Sequence, residues 1–358
     1  MTIPGRTAAP PLIAITCGDP AGIGPEIVSL AWAEAAPHHR GRLRVHGDPA
    51  LLRGVLAGRR GMPQLAIETV AIDDPRPSRP DSILVVDAGG DREAVAPGHA
   101  SAAGGAAAAR AVEAAFAAVL AERADAIVTG PLHKESLHAA GYDVPGHTEL
   151  LARACNLPDS AASMMLWLPG AAAGAGLGVV HATLHEPLRS AIGRLTPDLI
   201  ESAGLRLATL LAALLGRRPR IAVAALNPHG GEGGLFGDDE SRLVAPAVAR
   251  LGSAGIDVTG PLPADTLFLR ASRGEFDGVV ALYHDQGHIP VKLLGMHRAV
   301  NITLGLPLVR TSVAHGTAFD IVGRGLADPT SMLAAIDAAA SLVEAGGRRG
   351  LNASGPVP

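Results

Sequence analysis

The chain has 358 residues, more than one small core needs and enough for two α/β domains. Hydrophobic residues at 48% and charged residues at 18% give a globular composition, and aromatics at only 3% leave Ala, Val, Leu and Gly to build the interior. A net charge of −4, the lack of a long Lys/Arg block and the shortage of aromatics for base stacking argue against a nucleic-acid or membrane-surface binder.

Cys17 and Cys155 are the only cysteines, too few for a disulfide framework, which predicts a reducing, cytoplasmic setting. Met1 to Pro11 holds one Arg and no apolar core, so it does not read as a signal peptide. The Ala-rich run at 102–109 is short and is followed by Arg110, so no membrane span is expected. Leu12 to Thr16 reads as a buried strand, followed by a loop and a helix with Pro25 in its first turn. Leu43 to His46 and Ile83 to Val86 read as further strands. Ala106 to Arg123 reads as an Ala-rich helix, and Asp125 to Thr129 as a strand that runs into Gly130-Pro131. Pro169 to Gly178 reads as a Gly/Ala-rich surface loop. Gly178 to Ala182, Ile221 to Leu226 and Gly278 to Tyr283 read as strands, each leading into a polar loop that contains His, and helices are predicted over 196–215, 239–252 and 329–345. This alternation predicts an α/β fold of mostly parallel sheets with helices on both faces, whose ligands bind beyond the carboxyl ends of the strands.

The histidines sit at those ends. Three of the 14, His185, His229 and His284, each follow a strand. Imidazole suits Zn, Co, Ni or Fe, and three His with open positions is the plan of a catalytic metal site; three loop histidines making hydrogen bonds is the alternative. Residues 227–237, Asn-Pro-His-Gly-Gly-Glu-Gly-Gly-Leu-Phe-Gly, allow backbone N–H groups to approach an anion or simply form a flexible loop. Residues 18–26, Gly-Asp-Pro-Ala-Gly-Ile-Gly-Pro-Glu, join a strand to a helix N-terminus, where a phosphate could dock. No Gly-x-Gly-x-x-Gly or Gly-Lys-Ser/Thr motif occurs, which disfavours a standard Rossmann or P-loop enzyme. Between 284 and 310 lie His284, Asp285, Gln286, His288, Lys292, Asn301 and Arg310. Lys292 and Arg310 there could hold a phosphate or carboxylate, or the stretch could be a solvated charged face; Asn301 and Arg310 bracket the apolar run 302–309, where polar residues point at sheet ends.

On these residues the sequence resembles the 4-hydroxythreonine-4-phosphate dehydrogenase family of vitamin B6 (pyridoxine) biosynthesis. The matching stretches are 15–26, Thr129 to Lys134, Gly146 to Glu149, Asn227 to Gly237, Gly260 to Thr266, Tyr283 to Gly287, Asn301 to Val313 and His315 to Gly325, within a likeness running from about residue 12 to 345. The resemblance implies a two-domain isocitrate/isopropylmalate-dehydrogenase-like fold. Its expected division is 12–130 with 305–345 as one domain and 131–304 as the other, the latter carrying the metal ligands and dimer contacts, with loose tails at 1–11 and 346–358. It implies a homodimer with a shared active site, NAD, and one divalent ion (Zn, Co, Mn or Mg). His185, His229 and His284 match the metal ligands, with His284 corresponding to the one the partner subunit supplies. His147, Thr148, Lys292, Asn301 and Arg310 match substrate-binding positions, with Lys292 and His147 as candidates for proton transfer. Asp265 and Asp285 lie in matching motifs. Val313 to Pro329 resembles a dinucleotide loop, with His315, Gly316, Thr317 and Asp320 as its cofactor-binding positions.

The implied reaction is oxidation with decarboxylation of a 4-phosphohydroxy-L-threonine type of acid to 3-amino-2-oxopropyl phosphate and CO2. Leu137 to Tyr142, Asp285 to Lys292 and Gly316 to Asp320 are more similar to a second branch of the family. That branch oxidises D-threonate or D-erythronate 4-phosphate, giving dihydroxyacetone phosphate. The patch 181–193 is also similar to diol-dicarboxylate dehydrogenases, which typically lack the full Lys292, Asn301 and Arg310 set. The competing classes are a metal-dependent hydrolase or lyase without NAD, and a non-catalytic protein that binds a phosphorylated metabolite.

Overall fold

The computed structural model describes residues 10–90, 93–143, 147–158, 163–170 and 176–346, and the side chains of residues 147–149 lie outside that description. The chain divides into two compact units, one of residues 1–144 with 316–344 and one of residues 145–315 with 345–358.

The first unit runs β1 (Leu12–Thr16), α1 (Gly24–Ala33), α2 (Ala36–Arg40), β2 (Arg42–Gly47), α3 (Pro49–Ala57), β3 (Ala66–Thr69), β4 (Ser82–Asp87), α4 (Ala102–Leu120), β5 (Ala126–Thr129) and α5 (Lys134–Ala139). Its strands lie in the order β3-β4-β2-β1-β5, and every neighbouring pair is parallel. β1 and β5 are buried at every position, the continuous apolar run expected of a parallel sheet covered on both faces. Ser101 caps α4 by accepting from the Gly104 amide at 3.1 Å. α4 is long and apolar enough to cross a membrane, yet ten of its residues are buried in this unit, and it packs on β1, β2 and β5 as a core helix.

The second unit runs α6 (His147–Ala154), β6 (Ser163–Leu168), β7 (Leu177–His181), α7 (Leu188–Arg194), α8 (Pro197–Leu215), β8 (Arg220–Ala224), α9 (Ala245–Ser253), β9 (Asp257–Leu262), α10 (Ala264–Ser272), β10 (Gly278–Ala281), α11 (His284–Gly295), β11 (Val300–Leu304) and β12 (Val309–Val313). The order is β12-β11-β6-β7-β10-β8-β9. The four strands from β7 to β9 are parallel to one another, while β12, β11, β6 and β7 pair antiparallel. A cluster including Leu166, Leu177, Val179, Ala222, Leu267 and Val279 forms its interior; each fully buried Leu or Val contributes about 1.5–3 kcal/mol. The chain then returns to the first unit with α12 (Thr330–Gly346), most of which belongs there.

The predicted strands and helices are present, with shifted ends, and three features depart from expectation. Residues 134–139 form α5, which packs on α4 and so belongs to the first unit, whereas β12 pairs with β11 and keeps residues 309–313 in the second. The unit boundaries therefore fall after Val144 and after His315, later than the expected 130 and 304. The run 302–309 is not one segment: Gly305, at φ +82°, lets the chain reverse into a β11–β12 hairpin. This places Asn301 and Arg310 inside strands rather than at sheet ends. Residues 171–175 of the Pro169–Gly178 loop lie outside the described residues.

Candidate functional site

The polar residues of the second unit gather where β7, β8 and β10 end. Beyond β8, the loop at 228–234 strings together left-handed residues: His229 (φ +54°), Gly230, Gly231, Glu232 (φ +42°) and Gly233. Two non-glycine residues held at positive φ in one short loop are backbone strain of the kind that collects at functional sites. The loop's base is fixed by Glu240, which accepts from the Leu226 and Asn227 amides at 2.9 and 2.7 Å and from Asn227 Nδ2 at 3.0 Å. Burial pushes the Glu240 carboxyl up, but these bonds outweigh it and hold the group below its ordinary range. His229 is exposed, and its Nδ1 lies 2.8 Å from Glu232 Oε1.

Beyond β10, α11 opens at His284. Gln286 anchors this turn: its amide donates to the Ala225 carbonyl at 2.7 Å, and its oxygen accepts from the Leu282 amide at 2.6 Å. The start of α11 is thereby tied to the end of β8. His284 Nδ1 lies 2.6 Å from Asp285 Oδ1. In both His229 and His284 a carboxylate occupies Nδ1, which leaves Nε2 as the nitrogen available to a cation. This is the carboxylate–histidine pairing that orients metal ligands.

His185, exposed in the loop after β7, brings its ring centroid within 5.6 Å of His284. His229 makes its ring contact with Phe236 at 6.3 Å instead. The pair that meets within one chain is thus His185 with His284, whereas the resemblance puts His185 with His229 on one subunit. Among the described residues, no three His, Cys, Asp or Glu side chains of a single chain are grouped to hold an ion.

Two further histidines join this cluster, and the sequence reading gave neither a role. His181 is the last residue of β7, and His288 lies one turn along α11 from His284, with the 284 and 288 rings stacked at 3.7 Å. His288 Nδ1 lies 3.1 Å from His181 Nε2 and 3.2 Å from the His284 carbonyl. Burial, reinforced by the neighbouring His288 and His284, pushes His181 well below the ordinary imidazole range. Burial and His284 push His288 down to about 4, so both rings are neutral near pH 7. A Cβ at Gly287 would collide with His181 Nε2, so glycine is required for α11 to approach β7 this closely. The signals for both residues were present in the sequence: a single His ending an otherwise apolar strand, and a His-x-x-x-His spacing on one helix face.

Arg310 is buried on β12 and donates from Nη1 to Thr303 Oγ1 at 2.9 Å. Asn301 and Thr303 are two apart on β11 and share a face, so Asn301 and Arg310 address the same side of the hairpin. Asn301 Oδ1 is buried with no hydrogen-bond partner among the described residues. Such an orphan calls for a ligand donor, because leaving it unpaired costs about 1–3 kcal/mol. Lys292 and Asp265 are exposed on α11 and α10, and Asp285 is exposed beside His284. His147 begins α6; its side chain and that of Thr148 lie outside the described residues.

His315, half-buried, is the last residue of the second unit's main segment, while Gly316, Thr317 and Asp320 belong to the first. There Thr317 is buried, and its carbonyl accepts from the Ile23 amide at 2.9 Å. Ala318 is left-handed at φ +45°, and Phe319 stacks on His133 at 4.6 Å. A groove of about 700 Å³ borders Val322 and Gly323, with Arg59, Val95 and Pro97 also on its walls. That volume falls in the range of small-molecule and cofactor sites.

Residues 40–339 match the family model for the pyridoxal phosphate biosynthetic protein PdxA. The chain is 45% identical over 333 residues to a D-threonate 4-phosphate dehydrogenase of Cupriavidus necator, covering 93% of this chain and 97% of that protein. It is 41% identical over 349 residues to a 4-hydroxythreonine-4-phosphate dehydrogenase of Bradyrhizobium diazoefficiens, covering 94% and 98%. The crystal structure of a 4-hydroxythreonine-4-phosphate dehydrogenase from Klebsiella pneumoniae superimposes with a TM-score of 0.77 at 42% identity, covering 92% of this chain and 98% of that one. These relatives are named dehydrogenases, which sets aside the hydrolase, lyase and non-catalytic readings. The chain belongs to the PdxA family of dehydrogenases.

Proposed function

We propose that this chain is a cytoplasmic, homodimeric dehydrogenase that uses NAD and a divalent ion to oxidise and decarboxylate a four-carbon, 4-phosphorylated hydroxy acid, at a site to which both subunits contribute. The observation that carries the metal reading is the engagement of Nδ1 in both His229 and His284 by a neighbouring carboxylate. A set of three imidazole ligands suits zinc or cobalt better than the harder manganese or magnesium, and would hold the ion without cancelling its charge. When bound, the ion supplies Lewis-acid polarisation of the hydroxyl that is oxidised. The dimer reading draws on α11, where Ile289 and Leu293 are exposed at 54% and 83%, an apolar surface that a second copy would cover.

The chain's own residues do the binding and orienting. Arg310, its fork steadied by Thr303, grips a phosphate or carboxylate with paired donors. Asn301 Oδ1 accepts from a substrate hydroxyl. Lys292 Nζ pairs with the substrate's anionic groups or takes the hydroxyl proton, and His147 and Thr148 position the substrate, with His147 a second candidate for proton transfer. Asp265 and Asp285 complete the polar surround, and His315, Gly316, Thr317 and Asp320 hold the dinucleotide.

With 4-phosphohydroxy-L-threonine the products are 3-amino-2-oxopropyl phosphate and CO2. A specific observation favours D-threonate 4-phosphate as the second reading. The stretches 137–142, 285–292 and 316–320 are similar to that branch, and the Cupriavidus necator relative bears its name. The test is NADH formation by the purified protein with Zn, Co, Mn or Mg, comparing 4-phosphohydroxy-L-threonine with D-threonate and D-erythronate 4-phosphates. Turnover of one of them, lost in chelator, is expected. Failure with all three, or turnover indifferent to chelator, overturns the proposal.

A further inference from the structure

Glu26 and Arg59 form an ion pair in the first unit that is closed to solvent, with side chains 0% and 2% exposed. Removing two charges from water costs several kcal/mol per ion, so such a pair persists only where further hydrogen bonds complete it. Arg59 directs Nη1 to Glu26 Oε1 at 3.0 Å and to the Gly22 carbonyl at 2.8 Å, and Nη2 to the Pro20 carbonyl at 2.7 Å. It thereby fixes the turn between β1 and α1. Glu26 uses the same Oε1 to accept the Gly323 amide, 297 residues away in sequence, at 2.9 Å.

Gly323 lies in the loop read above as holding the dinucleotide, and with Val322 and Arg59 it walls the groove of about 700 Å³. The loop is held at two points. Thr317 O accepts from Ile23, and Gly323 bonds to Glu26 through its N–H and accepts from the Arg60 amide at 3.4 Å through its carbonyl. Between these points Ala318 is held left-handed, a conformation that an L-residue keeps only when its surroundings impose it.

We propose that Glu26 and Arg59 are positioning residues for the dinucleotide: the pair, itself out of contact with solvent, fixes Gly323 and so the wall of the cofactor groove. This rests on the reading of 315–320 as the cofactor loop. Glu26→Gln keeps the shape and removes the charge. The expected result is a rise of about tenfold in the KM for NAD, with kcat at saturating NAD within about twofold and the KM for the phosphorylated acid unchanged. The dissociation constant for NAD, measured by calorimetry without substrate, should rise by the same factor. A loss of stability alone would lower the amount of active protein and leave these ratios where they were.

Gly323→Ala is the second variant. A Cβ there meets no atom within 4 Å, but φ is +73°, so the substitution strains the loop and leaves the ion pair intact. It should weaken NAD in the same selective way. Binding to the wild-type protein with unaltered constants in both variants overturns the clamp and leaves the cofactor reading standing. A wild-type protein that binds no NAD overturns the cofactor reading and the clamp with it.

Discussion

Replacing Asp277 with Asn should cost about 2–3 kcal/mol of stability at neutral pH, a cost that persists through mildly acidic pH and fades only in strong acid, as pH falls through the depressed folded-state value. Asp277 precedes β10 and is 1% exposed. Its carboxylate accepts from Arg217 Nη1 and Nη2 at 2.9 and 2.8 Å, from the Arg220 amide at 2.8 Å, and from Arg220 Nε and Nη2 at 3.3 Å each. Burial alone would push this carboxyl up; the bonds from Arg217 and Arg220 win and hold it well below the usual carboxylate range. A charged hydrogen bond contributes about 1.5–3 kcal/mol, and breaking a fully buried pair costs about 3–5. Both arginine side chains are 45% exposed, so water screens them and the lower part of that range applies. Asn preserves the volume but turns an N–H2 towards the guanidinium donors.

The sign follows from linkage. The folded-state carboxyl titrates below its unfolded value of roughly 3.9, so its contribution is complete above that pH and is lost as pH falls through the folded-state value. Urea midpoints of wild type and Asp277→Asn should differ by the same amount at about pH 7 and 5, and the gap should begin to close only below the unfolded value of roughly 3.9. The neutral-pH melting temperature should drop by about 5–10 °C. A gap that already closes between about pH 7 and 5, or one under about 0.5 kcal/mol at pH 7, refutes the argument.

Asp285→Asn should weaken binding of zinc or cobalt by roughly 10- to 100-fold in a chelator competition while leaving circular dichroism unchanged, because the His284 tautomer loses its orienting carboxylate; equal affinities would reduce that contact to a surface ion pair. His46 is 2% exposed on β2, both its ring nitrogens are buried without a partner among the described residues, and burial pushes it down to about 4. Its folded-state value lies below the unfolded value near 6.5, so the stability linked to the neutral ring is complete above about 6.5 and is lost, up to about 3 kcal/mol, as pH falls towards 4. His46→Leu should flatten that part of the pH–stability curve, and an unchanged curve would show that the imidazole takes no part in it.

Much of the parallel framework was legible because its strands are short, apolar and punctuated by Gly, Pro and polar loops, and β1, β5, β7 and β10 are buried along their whole length. The antiparallel part was not. Ser163–Leu168, Met and Trp among its residues, carries no alternation that separates a strand from a helix, and it is settled as β6 only by the partners on either side, β11 and β7. Asn301 and Arg310 were found as residue types, but the placing of both on one side of a hairpin depended on the single positive φ at Gly305. The two compact units divide at other positions than the expected 130 and 304 for a similar reason: a short helix and a strand join whichever unit they pack against, and sequence distance does not report that.

The histidine cluster separates what spacing can convey from what it cannot. His284 and His288 are one helical turn apart, so their stacking is implicit in the sequence once α11 is recognised. His181 is 107 residues from His288, and nothing local joins them; the join is made by β7 lying beside β10, from which α11 emerges. Gly287 is where those two facts meet. Any side chain there would strike His181 and lift α11 off β7, carrying His284 away from His185. A glycine inside a helix costs about 1 kcal/mol relative to alanine, so its presence between two histidines of one helix face is itself a mark of close approach to another element. Together with the single His that ends the apolar strand β7, that glycine is where the sequence marks a close approach of α11 to a neighbouring histidine.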